Sequence, residues 1–301
     1  MVRPASDLVS GVILAADSMS RDELLETVLR IEALGYDTAW VTDMYGREIY
    51  ATAAWLLAKT SRIRIASGIA HIYGRDAVAS AQAGRTLSEL SDGRFVQGLG
   101  VSHPIAATMR GLEWEDPVSK ASGYLSAMRG ETPLNIRATA ESVPLYLAAH
   151  GPKMLGVAAR YADGANIYMQ LPEYMGFARG IIGPDKELTV VLPCCLTTDR
   201  EVGLAAGRLA LSIYLPLPAY QRQWAKQGFD ETDWSGKGSE RLVEAYVPWG
   251  DRETIALRMR EYLDAGASKM VVSSMPTDRR DPSTRWPLLE SFAPFGSSLA
   301  N

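Results

Sequence analysis

The chain contains three histidines, and each follows a short apolar run: His71 in SGIAH, His103 in GVSHP and His150 in LAAHG. Imidazole is the side chain whose ordinary pKa lies nearest neutrality, so a histidine at the end of a buried run can take or give a proton in a reaction. Asp43 ends a further run (VTDMYG), with Tyr45 just beyond. Taken singly, each histidine reads equally well as a packed loop residue, and the aspartate as a turn or helix cap. Taken together they propose one polar rim. The spacings HxH and HExxH and closely spaced His/Asp pairs are all missing, so no metal is expected. Two facing carboxylates, as glycoside hydrolysis needs, are not offered by GVSHP, and no GxSxG elbow supports a serine hydrolase.

Ala149, His150, Gly151, Pro152, Lys153, Met154 and Leu155 turn from an apolar run into a helix, with Pro152 suited to the first helical position. The N–H groups of Lys153, Met154 and Leu155 are then expected to be free, an anion cradle beside a lysine, although every helix N-terminus has such groups. Gly68, Gly98 and Gly100 lie inside or at the ends of apolar runs, where glycine weakens pairing. Close approach by a ligand or by another backbone explains them, as do bulges and tight packing.

The elements that position these residues follow from the alternation of apolar runs with amphipathic segments. Ser10–Ala16, Thr38–Thr42, Arg62–Ile69, Phe95–Val101, Pro144–Ala149, Ala165–Met169, Leu188–Leu196 and Lys269–Ser273 read as strands. Between them, Ser20 with Glu23 forms a capping box for a helix that buries Leu24, Val28, Ile31 and Leu34 and ends at Gly35. Glu48–Lys59, Ala77–Leu90, Val118–Met128 and Pro152–Tyr161 read as further helices. So does a segment with Asp251 as N-cap and Ile255, Met259, Tyr262 and Leu263 inward. Eight strands with helical crossovers predict an α/β fold, a (β/α)8 TIM barrel with two long insertions, the second mostly helical over Glu201–Val247. An open doubly wound sheet would show GxGxxG after its first strand, where this chain has AADSMSRDE. In a barrel of this kind the three histidines and Asp43 all fall on the C-terminal face of the strands, where chemistry sits.

Composition sets the remaining bounds. The 301 residues are 47% hydrophobic and 22% charged, which excludes a disordered or coiled-coil chain, and no linker divides residues 1–301 into more than one domain. The net charge of −4, from 35 acidic and 31 basic residues, offers no electrostatic footprint for nucleic acid or an anionic membrane. A small-molecule substrate is expected instead. With no signal-like apolar segment and its two cysteines adjacent at Cys194 and Cys195, the chain reads as a soluble cytoplasmic protein whose cysteines are buried fillers.

The motifs LRIEALGYDTAWVTD (Leu29–Asp43), RIRIASGI (Arg62–Ile69), LSDGRFVQGLGVSHP (ending at Pro104), PLYLAAHGPKMLGVAARYADGA (Pro144–Ala165) and WGDRETIALRMREYLDAGA (Trp249–Ala267) resemble the luciferase-like monooxygenase superfamily. Within it, the chain resembles the class that uses the deazaflavin coenzyme F420. The resemblance implies an oxidoreductase that transfers a hydride between F420 and a small organic substrate, by reduction of an activated C=C or C=N bond or by oxidation of an alcohol. It places Asp43 near the deazaflavin ring, and Gly68 and Ile69 at a bulge where relatives carry a non-prolyl cis peptide behind the ring. It places His150 to Leu155 at the turn that contacts the cofactor's phosphate-bearing chain. His103 falls where some relatives have a glutamate acid or base, and His71 is the second proton-transfer candidate. Tyr45, Tyr73 and Tyr168 are expected either on the substrate side or packed at the rim. Several relatives have a histidine after the strand-two aspartate; here Met44 stands there, so a mechanism resting on that histidine does not transfer. An FMN-dependent monooxygenase and a non-catalytic flavin-binding barrel are the other readings of the same scaffold. The family also pairs subunits through the helices after strands two and three. These are rich here in small residues (Ala51, Ala53, Ala54, Ala77, Ala81, Gly84), so a homodimer is expected, with packing inside one barrel as the alternative.

Overall fold

The computed structural model describes residues 8–130 and 143–294. Two compact units share the chain: Gly11–Ile167 with Phe177–Thr189, and Met1–Ser10 with Tyr168–Gly176 and Val190–Asn301. Three of the borders fall inside secondary-structure elements, so no linker separates the units in sequence.

The first unit runs through β1 (Gly11–Leu14), α1 (Arg21–Ala33), β2 (Thr38–Val41), α2 (Ile49–Lys59), β3 (Arg64–Ser67), β4 (Ala70–His71), α3 (Ala77–Leu90) and β5 (Phe95–Gly100). It continues through α4 (Pro104–Thr108), α5 (Pro117–Met128), β6 (Leu145–Ala148), α6 (Pro152–Tyr161) and most of β7 (Gly164–Tyr168). Parallel ladders join β1 to β2, β2 to β3, β3 to β5, β5 to β6 and β6 to β7, and β4 lies alongside β5. Ala39, Val41, Ile65, Phe95, Leu99, Leu147 and Ala165 are buried. Parallel strands covered on both faces read as unbroken apolar runs, and that is why these strands are visible in the sequence. The capping box at Ser20 forms both of its bonds, Glu23 N–H to Ser20 Oγ and Ser20 N–H to Glu23 Oε2, and Gly35 takes a φ of 88° past the helix end.

The helix α7 (Glu173–Ile182) and the strand β8 (Glu187–Leu196) each contribute to both units. The second unit adds α8 (Arg200–Leu211), α9 (Pro218–Lys226), α10 (Glu231–Trp234), α11 (Glu240–Tyr246), β9 (Trp249–Gly250), α12 (Arg252–Asp264), β10 (Lys269–Ser274) and α13 (Trp286–Ser291). Its excursion between β8 and β9 is helical as expected. It is held by an aromatic cluster in which Trp224 lies 5.9 Å from Tyr220 and 6.0 Å from Tyr246 by ring centroids. Cys194 and Cys195 are both fully buried, and burial raises both thiols, Cys195 to about 11, so they are inert fillers.

Strands alternating with helices, parallel throughout, make this the expected (β/α)8 barrel with insertions. Three details differ from the expectation. The third expected strand, Arg62–Ile69, is two: β3 stops at Ser67, the Gly68–Ile69 peptide bond is cis, and the strand resumes as β4. Helix α4 is short enough to escape a periodicity reading, and α7 is masked by two glycines in ten residues (EYMGFARGII), which lower helix propensity. Residues 1–7 and 131–142, in the N-terminal segment and the first insertion, lie outside the described residues.

Candidate functional site

Within the first unit, the parallel register of β2 with β3 and of β4 with β5 brings the ends of these strands side by side. Asp43 follows β2, and His71 closes β4. The His71 backbone N–H donates to Asp43 Oδ2 at 3.1 Å, tying the two ends together. His71 is buried, and its Nδ1 makes no hydrogen bond; neither does the buried Oγ1 of Thr42 beside Asp43. Burial, helped by the charges of Arg110 and His103, pushes the His71 imidazole down to about 4, so it is neutral at pH 7. Burial raises the Asp43 carboxyl above its usual value, against the His71 N–H and the charges of Arg110 and Arg75, which lower it.

Asp43 and His71 line a cleft of about 250 Å3 with Met44, Tyr45, Arg47, Tyr50, Arg75 and Arg110 also on its walls. One wall is the 44–47 loop. Asp17 Oδ2 accepts the N–H groups of Tyr45 and Gly46, both at 2.8 Å, and Arg47 donates to the carbonyls of Ala16 and Met19. Behind the cleft lies a buried polar network. The side-chain amide of Gln97 donates to Tyr50 Oη at 2.8 Å and to the Ser80 carbonyl at 2.9 Å, and Tyr50 Oη meets Ser80 Oγ at 2.8 Å. Gly84 gives this amide its room, since a Cβ there would stand 2.4 Å from Gln97 Oε1. Arg75 lies over the Tyr50 ring at 4.1 Å and pairs with Glu48.

The strand glycines serve the protein's own backbone and side chains. A Cβ on Gly98 would stand 2.1 Å from the Ser67 carbonyl oxygen, and one on Gly100 would stand 2.7 Å from Ile69 Cδ1. Ser67 Oγ clamps the same place, donating to the Gly98 carbonyl at 2.7 Å and accepting the Gly98 N–H at 2.9 Å. Thus β5 carries the Gly68–Ile69 bulge on glycines.

His103 and His150 follow β5 and β6, the neighbouring strands, as expected. His103 is half-buried at the N-cap of α4, and burial lowers its pKa. Both histidines on offer for proton transfer are therefore weaker bases than free imidazole. Ala149 is buried, and the turn through His150 and Gly151 enters α6 with no side-chain cap and with Pro152 in its first turn. The expectation of three free N–H groups needs one correction: Leu155 N–H donates to the Gly151 carbonyl at 2.9 Å, because Leu155 already closes the first helical bond. Lys153 and Met154 remain at the open end, and a Cβ on Gly151 would meet nothing within 4 Å.

The tyrosines divide. Tyr45 is 51% exposed on the cleft wall. Tyr73 is packed away, stacked on Trp114 at 5.4 Å with its hydroxyl accepting the Glu115 N–H. Tyr168, in the second unit, packs edge-on against Tyr214 at 5.2 Å. Arg75, Arg110, Thr42 and Asp17 were not found from sequence. Only Thr42 and Asp17 carried a signal, a polar residue at the very end of an apolar run.

Comparison with known proteins agrees with this architecture. The chain is 26% identical to a 5,10-methylenetetrahydromethanopterin reductase of Methanolobus tindarius, over 81% of this chain and 87% of that one. Among solved structures it resembles the coenzyme F420 dependent tetrahydromethanopterin reductase of Methanopyrus kandleri, with a TM-score of 0.70, 18% identity and coverage of 95% and 98%. It likewise resembles the oxygenating constituent of 3,6-diketocamphane monooxygenase of Pseudomonas putida in complex with FMN, with a TM-score of 0.71, 14% identity and coverage of 95% and 96%. The family model for luciferase-like monooxygenases matches residues 3–269, and the chain belongs to that family.

Proposed function

We propose that the protein is an oxidoreductase that transfers a hydride between coenzyme F420 and a small organic substrate. The observation that carries this reading is the cleft in which a neutral, buried His71 with an unbonded Nδ1 is tied to Asp43 at adjoining strand ends, within a fold shared with an F420-dependent reductase. The residues present fit the deazaflavin. Thr42 Oγ1 is a buried polar atom without a partner, and the uncapped start of α6 at Gly151 is open to an anion. In this reading Asp43, Gly68, Ile69 and the turn Ala149, His150, Gly151, Pro152, Lys153, Met154 and Leu155 hold the cofactor. When bound, F420 supplies or accepts the hydride.

The chain's own groups do the rest. Neutral His71 accepts a proton when the substrate is oxidised and returns it when the substrate is reduced, with Asp43 fixing the backbone that carries it. His103 lowers the pKa of His71 by its charge and is the second proton-transfer group. Tyr45 covers the substrate side from the cleft wall. The small residues of α2 and α3 support a homodimer, and we place the protein in the cytoplasm as one luciferase-like barrel domain. Among the described residues no helix is long and apolar enough to cross a membrane.

The FMN-bound neighbour favours a second reading, an FMN-dependent monooxygenase. Anaerobic turnover of small enones, imines and secondary alcohols, followed by the visible absorbance of F420, tests the first. Substrate-dependent change in that absorbance is expected. Oxygen consumption with reduced FMN, and no substrate-dependent oxidation or reduction of F420, would establish the second.

A further inference from the structure

The cleft holds three arginines, and two of them are committed. Arg47 donates to the Ala16 and Met19 carbonyls, and Arg75 is paired with Glu48 and lies over Tyr50. Arg110 is different. Among the described residues its hydrogen bond is to the Ala106 carbonyl, from Nη1 at 2.8 Å, and no carboxylate lies within ion-pair distance of it. That bond to α4 holds the guanidinium at the cleft wall and leaves Nε and Nη2 without a hydrogen bond among the described residues. Both atoms stand 4.0 Å from where a Gly74 Cβ would be, over the turn in which Gly74 N–H donates to the His71 carbonyl. The cation is half-buried and close enough to lower the pKa of both Asp43 and His71. Asp43 acts on this guanidinium only from beyond ion-pair distance, so its fork is unfilled, and that fork matches the geometry of an oxyanion.

We propose that the substrate of this cleft carries an oxyanion, a carboxylate or a phosphate, that is held by the Nε and Nη2 of Arg110 beside His71. The assignment rests on the oxidoreductase reading for the identity of the reacting partner, but the anion site itself does not. The cleft volume, about 250 Å3, suits a small acid. Anchoring one end of such a molecule on Arg110 sets its reacting carbon near the imidazole, which is the orienting role that bidentate clamps play. In the proposed reading the cofactor's phosphate sits at the start of α6, which leaves Arg110 to the substrate, and the F420 affinity of the Arg110 variants checks that division.

The test uses the protein with and without added F420, and three probes: benzoate, its neutral isostere benzamide, and phenyl phosphate. Binding is measured by calorimetry to the wild type, Arg110→Gln and Arg110→Lys. Either anion is expected to bind the wild type at least about tenfold more tightly than benzamide, in the range of a charge-assisted hydrogen bond. The benzoate and phenyl phosphate arms decide which oxyanion it is. Arg110→Gln is expected to abolish the preference, Arg110→Lys to restore part of it, and F420 affinity to stay within about twofold in both. No anion preference in the wild type, a preference that survives in Arg110→Gln, or a tenfold loss of F420 affinity in Arg110→Gln overturns the proposal. If the wild type shows the preference without binding F420, the anion site stands and the cofactor reading falls.

Discussion

His71 carries two separable consequences of its burial. As the proton-transfer group it cannot be replaced without loss: His71→Asn is expected to lower kcat about 100-fold or more while F420 affinity stays within about twofold. Unchanged turnover with cofactor still bound would take the proton-transfer role away from His71. The second consequence is thermodynamic. The imidazole is held down to about 4 in the folded protein against an ordinary 6.5, so between these values the unfolded chain binds the extra proton. Stability from this group is therefore fully present above pH 6.5 and is lost as pH falls toward 4, by about 3 kcal/mol at most. Denaturation midpoints measured from pH 7 to 4.5 should fall for the wild type and fall less steeply for His71→Asn. Equal slopes would remove the burial argument. At this scale the sequence was informative where a polar residue interrupts an apolar run, as His71, His103, His150 and Asp43 do. It was silent on Arg110, which lies in an irregular excursion and is brought to His71 by the fold, over the turn at Gly74.

At the scale of elements, the start of α6 and the β5 glycines make opposite predictions about added atoms. Gly151 has extended N-cap geometry and open space around its Cβ position, so Gly151→Asp can supply the missing cap. It should stabilise the protein by about 0.5 kcal/mol while weakening F420 at least tenfold, because its carboxylate takes the anion's place. Stabilisation with unchanged F420 affinity would show that the cofactor's phosphate does not sit there. Gly98→Ala has no such room, and the clash with the Ser67 carbonyl is expected to cost about 3 kcal/mol or more, read as a loss of soluble protein or a large fall in Tm. Strand positions were legible because both faces of the sheet are covered, which leaves no polar alternation to confuse the pattern. The break between β3 and β4 was not legible as a break. In the periodicity of RIRIASGI it is one strand; Gly68 offered a bulge as one reading among several, and the family resemblance marked the Gly68–Ile69 bond.

For the whole molecule, the small residues of α2 and α3 are partly explained without a partner. Ala53, Ala81 and Gly84 are buried within the chain, and Gly84 makes room for Gln97, whereas Ala51 and the neighbouring Val78 are exposed. If the proposed homodimer forms through the exposed remainder, light scattering on a sizing column should give about twice the chain mass of 32.8 kDa. A monomer at micromolar concentration would end that expectation. The central claim concerns the cofactor, because the fold alone accommodates both an F420 enzyme and an FMN enzyme. It is tested most directly by titrating the purified protein with F420 and with FMN, following cofactor fluorescence. Saturable one-to-one binding of F420, at least tenfold tighter than that of FMN and weakened by Gly151→Asp, is expected. Tight binding of FMN with none of F420 would contradict it.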